Sequence, residues 1–193
     1  MADTATVVDQ AKYSSGLSYA EFLEQANVNL DKFEEYYGTA KVTDEDAAKL
    51  RALSAKPGGP KKMLAIGEDW CPDVHRGLPI IAKIAEASGM ELRFFPRDKN
   101  VDLINFFLKE GKYQSIPVFA FFDGNFNPIG HWIERPAEAT RFQDEIRATL
   151  SQQKLSDDDT RKLMREKTAP LTESWRQETV KELRELLGKA AAT

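Results

Sequence analysis

Cysteine is nearly absent from this chain: Cys71 stands alone among 193 residues. An intramolecular disulfide is therefore excluded, and so is a cysteine-rich metal site. Histidine is almost as scarce, at His75 and His131, and neither has carboxylates at zinc-ligand spacing, so no metal centre is expected. No apolar run approaches the ~20 residues needed to cross a bilayer, which argues against a membrane partner. The first ten residues lack a basic stretch followed by an apolar core, so no signal peptide is expected, and the expected location is the cytoplasm. A basic surplus is also missing: 27 Lys and Arg face 31 Asp and Glu, for a net charge of −4, and nucleic acid is not an expected partner. Gly58-Gly59 has no phosphate-loop context, and no cofactor is expected.

What is there is a soluble, globular composition, with eleven Phe, five Tyr and three Trp to fill a core. Residues 1–17 read as a loose arm. Ser18 and Glu21 match a capping box, and the apolar positions Phe22, Leu23, Ala26, Leu30, Phe33 and Tyr37 predict one helix that stops near Gly38. Thr43 to Asp46 opens a second helix carrying Ala47, Leu50 and Leu53, and Pro57-Gly58-Gly59-Pro60 ends it. Three segments follow from that boundary: an arm with a helical extension over 1–59, a central domain over 60–150, and a C-terminal helical extension over 151–193.

Within 60–150 the pattern predicts a βαβαββα order. Strands are expected at Met63–Ile66, Glu91–Phe95, Ile116–Phe122 and Pro128–Ile133. Helices are expected over Pro72–Ser88 with a kink at Pro79, over Val101–Glu110, and from Pro136 to Leu150. Alternating strands and helices imply parallel pairing, with the last hairpin adding an antiparallel edge. In the tail, Ser156 caps a helix to about Lys167, and Pro170 opens another to about Gly188, with Trp175, Val180, Leu183, Leu186 and Leu187 on its apolar side. That stripe needs a partner surface, either the chain's own domain or a second copy, in which case the protein is a homodimer.

Trp70-Cys71-Pro72-Asp73-Val74 falls between a buried strand and a helix. A helix start carries unpaired backbone N–H groups and the positive end of the dipole, which stabilise a thiolate. Pro72 suits the first helical position. Glu68, Asp69 and Asp73 oppose the effect, so a modestly activated thiol is expected. His75 lies four residues on; a Cys–His pair and a plain surface residue are the two alternatives. Asp98 and Asn100 are expected to cap the following helix.

A strand, Trp-Cys-Pro-x, a helix with an internal proline, and Ile-Pro before a later strand together resemble thioredoxin. Trp70-Cys71-Pro72-Asp73 and Trp132-Ile133-Glu134-Arg135-Pro136 are similar to a bacterial thioredoxin-family branch whose motif is Trp-Cys-Pro-Asp-Cys. The resemblance spans about 60–150 and neither flank. It implies an α/β thioredoxin-like fold with a central mixed sheet flanked by helices. It makes Cys71 the attacking thiol, with Pro117 as a cis-proline facing it. It makes Trp70, Pro72, Asp73, Ile116 and Pro117 the residues around a substrate, with protein or glutathione thiols and disulfides as partners. The departure is Val74, where the family keeps its resolving cysteine. A held second thiol acts at an effective concentration of ~10⁵ M or more; without it, release from a mixed disulfide needs a thiol from solution. Two function classes follow: a single-cysteine thiol–disulfide exchanger, and a non-enzymatic interaction module on the same fold. Core packing is the alternative role for Trp70 and Trp132, and a purely structural turn the alternative for Pro117.

Overall fold

In a computed structural model, which describes residues 8–153 and 155–190, the chain builds a four-stranded sheet in the order β2-β1-β3-β4. The elements preceding it are α1 (Gln10–Ser14), α2 (Tyr19–Gln25), α3 (Leu30–Thr39) and α4 (Asp44–Ala55). Then come β1 (Lys62–Gly67), α5 (Pro72–Ser88), β2 (Glu91–Pro96), α6 (Val101–Ile104), β3 (Val118–Phe122), β4 (Pro128–Ile133) and α7 (Ala137–Ser151). The tail holds α8 (Asp157–Thr168) and α9 (Thr172–Ala190).

Pairing of β1 with β2 is parallel, as the α5 crossover demands, but β1 pairs with β3 antiparallel, and so does β3 with β4. The expectation of a parallel sheet with one antiparallel edge is corrected here. The helix expected over Val101–Glu110 shrinks to the four residues of α6. β2 ends at Pro96 opposite Gly67 and β3 begins at Val118 opposite Ile66, so the connection starts and finishes at the same end of the sheet, and a full-length crossover helix is not required. β3 itself starts at Val118, because Ile116 and Pro117 belong to the turn that enters it.

Side chains alternate across a strand, so the sheet has two apolar faces. On one lie Met63, Ala65, Phe94, Phe119 and Trp132, covered by α5 with α2, α3, α4 and α9 around it. Opposite, Phe107 meets the His131 ring at 5.4 Å, and Gly16 lies against the Phe95 ring. Helices and loops therefore sandwich the sheet, and one contiguous cluster of buried residues runs from Val8 to Leu187.

Two local expectations change. The loose arm is overturned for residues 8–17, while residues 1–7 lie outside the described residues. Asp9 caps α1, Tyr13 is fully buried with its hydroxyl donating to the Glu91 carbonyl at 2.7 Å, and Leu17 bridges to Phe94. The single helix expected over 19–37 is two, because Asn29 adopts φ 58° between them. α5 runs unbroken from Pro72 to Ser88 with Pro79 inside it, and Gly89 at φ 74° ends it. The expected caps at Ser18, Thr43 and Ser156 all form.

α9 docks on its own chain. Its Arg176 donates to the Tyr36 carbonyl at 3.0 Å and to Thr39 Oγ1 at 3.2 Å, and Arg184 pairs with Asp46 on α4. Glu182 accepts from Trp132 Nε1 at 2.8 Å and from the Ala137 N–H at 2.8 Å, tying the tail to β4 and to the start of α7. No helix among the described residues is long and apolar enough to cross a membrane.

Candidate active site

Cys71 is the N-cap of α5 and Pro72 its first residue. The Val74 and His75 N–H groups donate to the Cys71 carbonyl at 3.0 and 3.1 Å, which starts the helix. The loop before it is held by acidic side chains. Asp69 accepts from the Asn27 N–H at 2.7 Å and Glu68 from the Asp98 N–H at 2.7 Å, so two of the three carboxylates expected to oppose a thiolate are occupied with backbone. Asn100 precedes α6 without a side-chain cap and donates instead to the Pro96 carbonyl at 2.8 Å.

The Ile116–Pro117 peptide is cis, and the Cys71 Sγ donates to the Ile116 carbonyl at 3.8 Å, a long contact. Pro117 is buried beside α5. The Glu134 N–H donates to the Pro117 carbonyl at 2.7 Å, so the Trp132–Pro136 segment, the Pro117 turn and Cys71 meet at one end of the sheet. The sequence-predicted residues Trp70, Cys71, Pro72, Asp73, Ile116 and Pro117 are thus brought together.

Their chemistry differs from the expectation of an activated thiol. Cys71 is only 8% exposed. Burial pushes its thiol above the ordinary range, the Asp73 carboxylate adds to the rise, and the helix N–H groups and Arg135 oppose it without prevailing. Val74 is fully buried and faces Gly67 on β1; a Cβ at Gly67 would sit 2.8 Å from a Val74 methyl. Trp70 is 50% exposed, with the Arg97 guanidinium 5.2 Å from its ring. Core packing therefore does not explain Trp70. It does explain Trp132, which stacks on Phe119 at 5.3 Å and 9°.

His75 is neither a surface residue nor a base for Cys71. Its ring packs against Phe33 and Tyr36 on α3, and Nδ1 is buried without a hydrogen-bond partner among the described residues. Burial first, then the positive charge of Arg76 and Lys32, brings its pKa down to about 4.

Asp73 is the centre of a cluster that sequence alone did not mark. It accepts from Arg135 at 2.5 Å and Arg76 at 3.3 Å, and Arg135 also donates to Gln143 and Glu134. Burial raises the Asp73 carboxyl despite these two guanidinium partners. The signal for this cluster was Arg135 in the Trp132–Pro136 run that resembles the thioredoxin branch, but only the fold brings it to Asp73 on α5.

A sheet of this order with a cysteine capping the first long helix, opposite a cis-proline turn, defines a thioredoxin-like protein. The chain belongs to the thioredoxin family: the family's sequence profile matches residues 16–149, which takes in α2, α3 and α4 as well as the sheet. Two solved structures are similar along nearly the whole chain. One is a protein of unknown function from Pseudomonas aeruginosa (16% identity, TM-score 0.62), the other an HIV epitope scaffold (16% identity, TM-score 0.59). Each comparison covers 96% of both chains. At this identity they establish the fold, flanking helices included. No curated protein matches.

Proposed function

We propose that this protein is a single-cysteine thiol–disulfide exchange protein that forms mixed disulfides slowly and does not act as a general reductase. The observation that carries this reading is Cys71 as N-cap of α5, with the Ile116 carbonyl of the cis-proline turn 3.8 Å from its sulfur. In the exchange, the Cys71 thiol loses its proton to solvent, and its thiolate attacks one sulfur of a disulfide. That forms a bond to this sulfur and expels the other as thiolate. A second thiol from solution, of the glutathione class, then attacks the mixed disulfide and frees Cys71. Val74 can perform neither role, so the second step is bimolecular. Trp70 and Pro72, both exposed, are the residues a partner chain would meet beside the sulfur.

A second reading, a non-enzymatic interaction module, is favoured by the burial of Cys71 and the rise of its pKa. Reduction of a protein disulfide by small dithiols separates the two, with wild type compared with Val74→Cys, and Cys71→Ser as the blank. Slow turnover by the wild type and a clear gain in Val74→Cys, one helix turn from Cys71, are the expected results. Rapid wild-type turnover would refute the monothiol reading, and an inert Val74→Cys variant would favour the interaction module.

A further inference from the structure

Beside Trp70 and Pro72 the surface opens into a cleft of about 760 Å³, within the ~300–1,000 Å³ typical of small-molecule sites. The start of α5 forms one wall; α3, α7 and α8 form the others. Six of its lining residues are cations, Lys32, Arg76, Arg135, Arg147, Arg161 and Arg165, and Asp73 is the one carboxylate among the lining residues. Asp73 is engaged by Arg76 and Arg135.

Lys32, Arg147 and Arg161 pair with Glu35, Asp144 and Asp158, each three residues away on its own helix and well exposed. Pairs of this kind hold weakly, so those cations are free to turn to a better acceptor. Arg165 has no ion-pair partner within 4.0 Å among the described residues. Arg161 and Arg165 are one turn apart on α8 and so face the same way. Flat apolar surface is supplied by Trp70 and Tyr36, each with a guanidinium near its ring, Arg97 at 5.2 Å and Arg176 at 5.2 Å.

We infer that this cleft binds a phosphorylated small molecule that carries a flat ring, of the nucleoside phosphate class. Guanidinium forks match phosphate oxygens in a bidentate geometry, aromatic faces accept a ring, and the volume suits a small molecule. The tail helix α8, which the resemblance to thioredoxin did not cover, then has a role as the arginine-bearing wall of the cleft. The cleft borders the sulfur through Trp70 and Pro72, but none of its lining residues has to react.

Isothermal calorimetry on the full chain tests this at low ionic strength, with ADP, inorganic pyrophosphate, adenosine and an acidic decapeptide as probes. ADP and pyrophosphate should bind, ADP the more tightly, and adenosine should give no heat. Added salt should weaken both phosphate probes. The double variant Arg161→Glu/Arg165→Glu, changed at exposed positions, should lose about tenfold or more in affinity for ADP; circular dichroism checks that it folds, and Arg147→Glu on α7 serves the same comparison if it does not. Cys71→Ser should bind ADP as the wild type does, which separates this site from the exchange reading. The inference is overturned if neither phosphate probe binds, if the charge reversals leave ADP affinity unchanged, or if the acidic peptide binds more tightly than ADP.

Discussion

At the scale of single residues, the sulfur and its neighbours carry opposite signals. Cys71 and Pro72 were legible in the sequence because their roles are local, a cap and a first helical residue; Pro117 was legible only through the resemblance, since the apolar pattern alone put it inside a strand that begins at Val118. The burial of the thiol was not legible, since it comes from the approach of the Ile116–Pro117 turn, forty-five residues away in the chain. His75 shows the same limit. Helical spacing placed it one turn from Cys71, but the aromatic faces of Phe33 and Tyr36 that bury it arrive from another helix. This burial has a pH consequence. The imidazole's pKa falls from 6.5 to about 4 in the folded chain, so the neutral ring contributes stability that is fully present above pH 6.5 and lost as pH falls toward 4. Arg76 and Lys32 push the same way, and Asp31 opposes them. Melting temperature measured against pH should fall less steeply over that window in His75→Phe than in the wild type. Gly67 supplies a second test: Gly67→Ala forces a Cβ against the Val74 methyls. It should cost about 1–3 kcal/mol in denaturant unfolding.

At the scale of elements, capping chemistry was the most readable layer. Ser18, Thr43 and Ser156 each begin a helix where the sequence places them, because a hydroxyl followed by an acidic residue satisfies backbone donors locally. Breaks inside apolar periodicity were less readable. The step between α2 and α3 depends on Asn29 in a left-handed conformation and on Asn27 and Val28 donating to Asp69, a contact between distant segments. α6 stops short for a comparable reason: the connection must return to the end of the sheet where β2 finished, and that end is fixed by the antiparallel pairing of β3 with β1. The tail helix obeyed its stripe, with Leu183 and Leu187 fully buried and Trp175 nearly so. Leu183→Ala should therefore cost about 2–5 kcal/mol, read as a shift of the unfolding midpoint of the whole chain. A melt in which α9 is lost alone, with the sheet unchanged, would show that its docking is not part of the common core.

At the scale of the whole molecule, the α/β class and the family were readable from a handful of residues, whereas the way the flanks close on the sheet was not. Apolar residues of α1, α2, α3, α4 and α9 enter the same cluster as the sheet, and α7 and α8 form the outer wall of the cleft beside Trp70. That assembly leaves one thiol near one turn. The most direct measurement is intact-mass spectrometry of the full chain incubated with glutathione disulfide over a pH series, with Cys71→Ser alongside. One glutathione adduct is expected, absent from the serine variant. It should form slowly near neutral pH and faster as pH rises past the ordinary thiol value of ~8.5, because burial holds the Cys71 thiol protonated. An adduct complete at once at neutral pH would contradict the buried, protonated thiol, and no adduct even at high pH would contradict exchange at Cys71 altogether.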